Sequence, residues 1–197
     1  MHARLRLFVL AVSAAFAAAT TPAFAQTEVE DAADPFVHRG LPVEFPAKID
    51  GFERGRIIEF DEDGTDASVG YAPSGIAGEM TIYLYPARGG ICQQEFDFAK
   101  EAVVRRSGRE KNDATSLTIA AFEGSTQLSA EFAVEPGGYG FDHPELVSYL
   151  WLACLPDGKW LVKYRGSFLK SDANRIDGIA QRLFSGIDWS AVTAPRP

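Results

Sequence analysis

The chain has few of the residues on which catalytic and metal sites are usually built. Its 197 residues include two cysteines and three histidines. Cys92 and Cys154 stand too far apart for a CxxC redox centre. G-x-S-x-G and HExxH, the local motifs of many serine hydrolases and zinc peptidases, are missing from the sequence. We therefore expect a binding protein rather than an enzyme, while a carboxylate site assembled from distant positions stays open.

Positive charge is also scarce. The sequence has 19 lysines and arginines against 27 acidic residues, for a net charge of −8. This balance argues against binding along a nucleic-acid backbone, which needs a positive face. It argues equally against attraction to an anionic lipid surface. The partner is expected to be an unidentified protein or small ligand, with no nucleic acid involved.

Long hydrophobic runs are rare, and the clearest one opens the chain. Two arginines and a histidine precede Leu7–Ala19, which is shorter than the ~20 residues of a membrane span. Ala23-Phe24-Ala25 then supplies the small residues that a signal peptidase requires. We predict a signal peptide at residues 1–25, cut after Ala25, and a periplasmic or secreted protein with no transmembrane segment after cleavage. A retained anchor is the alternative.

The two cysteines gain a meaning from this predicted export. In an oxidising compartment, Cys92 and Cys154 most simply form a disulfide with each other. On the chain-entropy model, closing a loop of this length stabilises a fold by about 4 kcal/mol. Free or metal-bound thiols are the alternative. No metal and no cofactor is predicted.

The remaining residues fit one domain between two less regular ends. Residues 26–46 are acidic and punctuated by prolines, which predicts a flexible lead-in in which His38 is solvated. Residues 47–190 form the predicted α+β domain, and residues 191–197 a tail. Alternating apolar and polar positions predict a single antiparallel sheet of about seven strands. These strands are Arg54–Phe60, Ala67–Tyr71, Glu79–Tyr85, Ser116–Phe122, Thr126–Val134, Leu146–Cys154 and Trp160–Phe168.

Two long helices are expected to pack on this sheet, giving the order β-β-β-α-β-β-β-β-α. The first starts after Gly89-Gly90 and ends before Gly108, and the second starts at Ser171 or Asp172 and ends at Gly186. The pattern leaves open whether both helices cover the same face. The buried face of the first helix should hold Cys92, Phe96, Ala99 and Val103, and that of the second Ile176, Ile179, Ala180 and Leu183.

A basic cluster follows the first helix. It consists of Arg105, Arg106, Arg109 and Lys111. Cations at a helix C-terminus favourably oppose the macrodipole, so a solvated helix end is the simpler interpretation. Anion binding is the alternative.

Three segments carry a resemblance to a known family. They are Phe45–Phe52, Thr81–Tyr85 and Lys159–Arg165. With the strand–helix order, they make the region from about Phe45 to Trp189 resemble an uncharacterised family of exported proteobacterial proteins with the Mog1/PsbP-like fold. That resemblance implies a non-catalytic accessory or binding module, and it brings no site residues with it.

The best candidate for a binding site is the glycine-rich loop from Glu135 to Pro144. Tyr139, Phe141 and His143 alternate along it, and exposed aromatic side chains on a loop often contact a ligand. The alternative is that the rings pack onto the sheet and the loop has no function.

Three functions follow from these observations. The favoured one is an exported, non-catalytic binding or accessory module of the bacterial envelope. The second is an envelope hydrolase that uses a carboxylate or His143 as its acid–base group. The third is a carrier of small apolar ligands with its cavity between helices and sheet.

Overall fold

The computed structural model describes residues 26–106, 108–111, 117–139 and 142–193. The predicted signal peptide at 1–25 lies outside these residues. The chain has an α+β fold dominated by a large antiparallel sheet, which confirms the predicted class. Its strands are β1 (Thr27–Glu28), β2 (Phe36–Val37), β3 (Glu44–Phe45), β4 (Lys48–Ile49), β5 (Phe52–Glu59), β6 (Ala67–Pro73), β7 (Gly78–Pro86), β8 (Gly108–Glu110), β9 (Thr126–Val134), β10 (Leu146–Cys154) and β11 (Trp160–Leu169). Its α-helices are α1 (Cys92–Arg105), α2 (Ile176–Ser185) and α3 (Ser190–Thr193).

Within the described ranges, nine strands form the large sheet. Its order is β1-β5-β6-β7-β11-β10-β9-β8, and β4 pairs with β5 beside this path. The central hairpin of β10 and β11 was predicted within one residue, and every residue of β10 from Leu146 to Ala153 is buried. The sequence of β10 is a continuous apolar run because both of its faces are covered.

The strand count differs from the prediction, and one predicted strand is wrong. Residues 117–119 are irregular and Ala120–Phe122 is a 3-10 turn, so no hairpin joins Ser116–Phe122 to β9; Ser116 itself lies outside the described residues. The short β8 pairs with β9 instead. Side chains of β9 explain the difference, because Gln127 Oε1 accepts the Ile119 N–H at 2.8 Å and Ser129 Oγ accepts the Leu117 N–H at 2.9 Å.

The two longer helices lie on opposite faces of the sheet. The 14-residue α1 packs Phe96 and Val103 against Leu150, Leu152 and Phe132. The opposite face carries the larger core, in which Trp151 and Tyr164 meet α2. The predicted faces of both helices are confirmed, although α2 spans only 10 residues and follows a 3-10 turn at Lys170–Arg175.

The predicted flexible lead-in is folded onto the domain. β2 and β3 pair, and Phe36, Leu41, Val43 and Phe45 are buried in the larger core. His38 is 2% exposed, so its expected solvated position is wrong. Its Nδ1 accepts the Leu41 N–H at 3.1 Å, while Nε2 lies 3.2 Å from the Leu84 carbonyl. A neutral imidazole satisfies both contacts at once.

A disulfide joins Cys92 and Cys154, as the sequence predicts. This bond ties the start of α1 to the end of β10.

The C-terminal end of the domain is also packed onto the core. Trp189 is buried. Val192 of α3 is buried as well, so the predicted tail from residue 191 begins with packed residues, and 194–197 lie outside the described ranges. None of the helices in the described ranges is long and apolar enough to cross a membrane.

Candidate ligand groove beneath the first helix

The sheet face that carries α1 is only half covered. α1 packs mainly on β8, β9 and β10, and covers the same face of β7 and β11 only in part, at Tyr85 and Leu161. Side chains alternate between the two faces of a strand, so Tyr83, Tyr85, Lys163 and Arg165 point to this open half. We call the space between α1 and these strands the α1 groove. It has an aromatic half and a cationic half.

The aromatic half is a cavity of about 370 Å³. Its lining residues are Phe60, Asp66, Tyr83, Tyr85, Arg88, Glu95, Phe98, Ala99, Ala102 and Lys163. Phe60 stacks on Tyr83 with 6.2 Å between ring centroids. Phe98 projects from α1 at the rim and is 67% exposed, which is unusual for a phenylalanine on a helix that has a sheet to pack against. Aromatic side chains around a cavity of this size are typical of small-molecule sites.

Lys163 forms the floor of the aromatic half. It pairs with Tyr83 across the β7–β11 ladder, and its Nζ lies 4.0 Å from the Tyr83 ring centroid and 5.2 Å from that of Tyr85. In the described part of the chain, no carboxylate forms a salt bridge with Lys163. Burial lowers the pKa of Lys163 to about 8, and the nearby Arg165 charge adds to this effect. Two ring faces therefore hold an ammonium that has lost much of its water.

The other polar groups of the aromatic half lie at its edge. Arg88 and Asp66 form a long ion pair, with 3.8 Å between Nη2 and Oδ2. Burial raises the pKa of Asp66, while the charge of Arg88 works in the opposite direction. Burial also raises the pKa of both Tyr83 and Tyr85. The two phenols therefore stay neutral near pH 7 and offer apolar ring faces with O–H groups at their ends.

The cationic half lies further along the groove, near the C-terminal end of α1. It is a cavity of about 480 Å³ lined by Arg105, Arg106, Gly138, Tyr139 and Arg165. Arg165 and Lys163 lie two positions apart on the same face of β11, so the two halves are neighbours, with roughly 7 Å between these backbone positions. No carboxylate is among the residues that line this half. The predicted alternative of anion binding by the basic cluster therefore has a matching cavity for Arg105 and Arg106.

Part of the predicted loop site borders the groove. Tyr139 lines the cationic half, and its ring centroid is 5.8 Å from that of His143. His143 is buried, accepts the Tyr139 N–H at Nε2 over 3.4 Å, and has Nδ1 2.6 Å from the Pro144 carbonyl. These backbone contacts hold the loop in shape. Phe141 lies outside the described residues.

The residues of the groove floor cannot be recognised from the sequence of either strand alone. Thr81, Tyr83 and Tyr85 alternate with apolar residues in β7, and Lys163 and Arg165 do the same in β11. Each pattern alone indicates a strand with one solvent-exposed face. The signal becomes informative only when β7 and β11 are paired, because the register then places Lys163 opposite Tyr83 and Arg165 opposite Thr81.

Comparison with known proteins adds no relative to this description. The chain matches no protein-family model, no curated protein and no solved structure.

Proposed function

We propose that this protein is a non-catalytic binding module that holds a small ligand in the α1 groove. The observation that carries the proposal is the aromatic half, where Phe60, Tyr83, Tyr85 and Phe98 surround a cavity of about 370 Å³. We propose that the protein acts in the periplasm or outside the cell, and the predicted signal peptide supports this location. The proposal unites two functions expected from the sequence, the envelope binding module and the small-ligand carrier with a cavity between helix and sheet.

The exposure of Phe98 supports a ligand as the missing contact. Phe98 leaves most of its ring in water, and burying an aromatic side chain contributes about 1.5–3 kcal/mol. A flat apolar molecule lying between Phe98 and the two tyrosine rings would recover part of this free energy. The ring faces are fixed by strand pairing and by the Phe60–Tyr83 stack, so little order has to be created on binding.

The hydrolase alternative has less support from the described residues. Its proposed acid–base group, His143, contacts backbone groups of its own loop through both ring nitrogens. A general base needs to reach a substrate proton within hydrogen-bond distance, and these contacts occupy the nitrogens that would do so. We therefore assign His143 to loop structure in this proposal.

A neutral fluorescent probe tests the groove directly. N-phenyl-1-naphthylamine is an uncharged, flat molecule whose emission rises in apolar surroundings. We expect saturable binding to the purified protein, and about tenfold weaker binding for Phe98→Ala, because the lost contact is worth about 1–1.5 kcal/mol. Phe98 is mostly exposed, so this change should leave the melting temperature nearly intact.

Val37→Ala is the matched control, since Val37 is an exposed apolar residue outside the groove lining. It should bind the probe as the wild-type protein does. If the wild type does not bind, or if Phe98→Ala binds as tightly as Val37→Ala, the aromatic half is not a ligand site.

We also propose that the domain belongs with the Mog1/PsbP-like fold. The support is the sequence resemblance from about Phe45 to Trp189 together with the antiparallel sheet and its helices on opposite faces. The order of the strands in the sheet, β5-β6-β7-β11-β10-β9-β8, tests this assignment. A sheet order different from that of known members of the fold would remove it.

A further inference from the structure

The charge at the far end of the α1 groove is opposite to that of the whole chain. The protein has a net charge of −8. Nevertheless, the cationic half gathers Arg105, Arg106 and Arg165 without a carboxylate in its lining. Like charges repel, so a cluster of this kind lowers the free energy of a bound anion more than it stabilises the empty fold.

Arg165 is the most informative member of this cluster. One of its terminal nitrogens, Nη2, donates to Ser148 Oγ at 3.3 Å. Its Nε is buried without a hydrogen-bond partner among the described residues. Buried polar atoms are nearly always hydrogen-bonded, and leaving one unsatisfied destabilises the fold. The Arg165 guanidinium is thus held in place on the sheet with donor capacity left over.

The other two arginines complete the ring from the helix side. Arg105 Nη1 contacts Glu101 of the same helix at 3.2 Å, and both side chains are largely exposed, so this pair holds Arg105 only weakly. Arg106 forms no salt bridge within the described ranges. Tyr139 also lines this half of the groove. Several guanidinium donors around a small space suit the oxygens of a carboxylate, sulfonate or phosphate.

We infer that the ligand of the α1 groove is a free small molecule with an apolar or aromatic body and a single anionic group. The body lies against Tyr83, Tyr85 and Phe98, and the anion meets Arg165 with Arg105 and Arg106. This inference rests on the proposed function and adds the ligand class to it. The short separation of Lys163 and Arg165 on one strand means that the anionic group is attached directly to the body or through a short linker. The negative charge of the chain as a whole disfavours a membrane surface as the source.

Two probes that share one scaffold test the inference. 1-Anilinonaphthalene-8-sulfonate is N-phenyl-1-naphthylamine with one sulfonate added. In a purely apolar groove the neutral probe binds at least as tightly, because the sulfonate must lose water. If the cationic half receives the anion, the sulfonate probe should bind about tenfold more tightly than the neutral one at low ionic strength. Arg165→Met should bring this ratio close to one.

Arg182→Gln is the control for Arg165→Met, since Arg182 is an exposed arginine of α2 on the opposite side of the sheet. It should keep the wild-type ratio of the two dissociation constants. Melting temperatures of both variants show whether the fold is intact, and Arg105→Gln with Arg106→Gln gives a second test that leaves the sheet untouched.

The two hypotheses fail in different ways. If neither probe binds, the proposal that the α1 groove binds a ligand is wrong, and the proposed ligand class is wrong as well. If both probes bind equally in the wild type, or if the ratio survives both Arg165→Met and the Arg105/Arg106 double change, the groove is an apolar site and the anionic ligand class is wrong.

Discussion

The sharpest prediction concerns Lys163, because its charge is unfavourable for the fold and useful for the groove. Burial lowers its pKa from the usual 10.5 to about 8. We expect Lys163→Met to raise the free energy of unfolding at pH 7. Methionine has nearly the same length and can pack its thioether against the Tyr83 ring, so the change removes the charge with little loss of contact.

The magnitude follows from two opposing effects. A pKa lowered to about 8 corresponds to a penalty of about 3 kcal/mol for keeping the ammonium charged. The Tyr83 and Tyr85 ring faces, 4.0 and 5.2 Å from Nζ, return about 1–2 kcal/mol of this through cation–π attraction. Lys163 also keeps some contact with solvent. We therefore expect Lys163→Met to stabilise the protein by about 1–2 kcal/mol at pH 7.

The pH dependence distinguishes this explanation from simple repacking. Between pH 8 and 10.5 the folded protein loses the Lys163 proton while the unfolded chain keeps it. The unfolded state then binds more protons, so the free energy of unfolding of the wild type rises with pH in this window. Below pH 8 both states are charged and the full penalty is present. The advantage of Lys163→Met should therefore be largest near pH 7 and should shrink as the pH approaches 10.5.

Urea unfolding followed by tryptophan fluorescence between pH 7 and 10 measures these differences, with the m-value as a check that the unfolded state is unchanged. Lys159→Met is the matched control, because Lys159 lies exposed in the turn between β10 and β11 and should change stability by less than about 0.5 kcal/mol. If Lys163→Met is no more stable than wild type at pH 7, or keeps its advantage unchanged at pH 10, the Lys163 charge is not the source of strain.

Three further predictions concern the scaffold. Gln127→Leu should lower the free energy of unfolding by about 2–4 kcal/mol in urea titrations, because it leaves buried donors such as Trp151 Nε1 without an acceptor. Burial lowers the pKa of His38, so the free energy of unfolding should fall as the pH drops below 6.5. In His38→Gln the melting temperature should change less between pH 7 and pH 5 than it does in the wild-type protein. Alkylation of the denatured, unreduced protein should label neither Cys92 nor Cys154, and the Cys-to-Ser double variant should lose about 4 kcal/mol; labelling of both would disprove the bond.

The sequence predicts the strands of this sheet well where local pattern and tertiary burial agree. The bounds of β9 and β10 match those predicted, because β9 alternates cleanly and β10 is apolar on both faces. The buried face of α2 follows from the spacing of Ile176, Ile179 and Leu183. In these segments the local sequence pattern is enough to predict the secondary structure and the buried face.

The features that could not be predicted from the sequence depend on contacts between residues that are distant in the chain. Apolar alternation in Leu117 and Ile119 suggests a strand, but their N–H groups bond to side chains of β9 rather than to a strand backbone. His38 lies in an acidic, proline-punctuated segment that reads as flexible, and it becomes buried only because the Leu84 and Thr65 carbonyls lie close by in the fold. Tyr139 could be proposed as a contact residue from its loop, and Arg105 and Arg106 as anion ligands from their cluster, whereas their proximity to Arg165 of β11 could not be predicted.

The half-covered sheet face links the scaffold to the proposed site. The Cys92–Cys154 bond fixes the start of α1 at the end of β10, and the helix packs mainly on β8, β9 and β10. A sheet face left without a helix would normally carry short polar side chains. Here it carries tyrosines beside a desolvated lysine and an arginine with an unsatisfied nitrogen, which are poor choices for a face that meets only water. We expect these residues to be more stable around a bound ligand than in an empty groove, and this expectation is the physical reason to look for a ligand there.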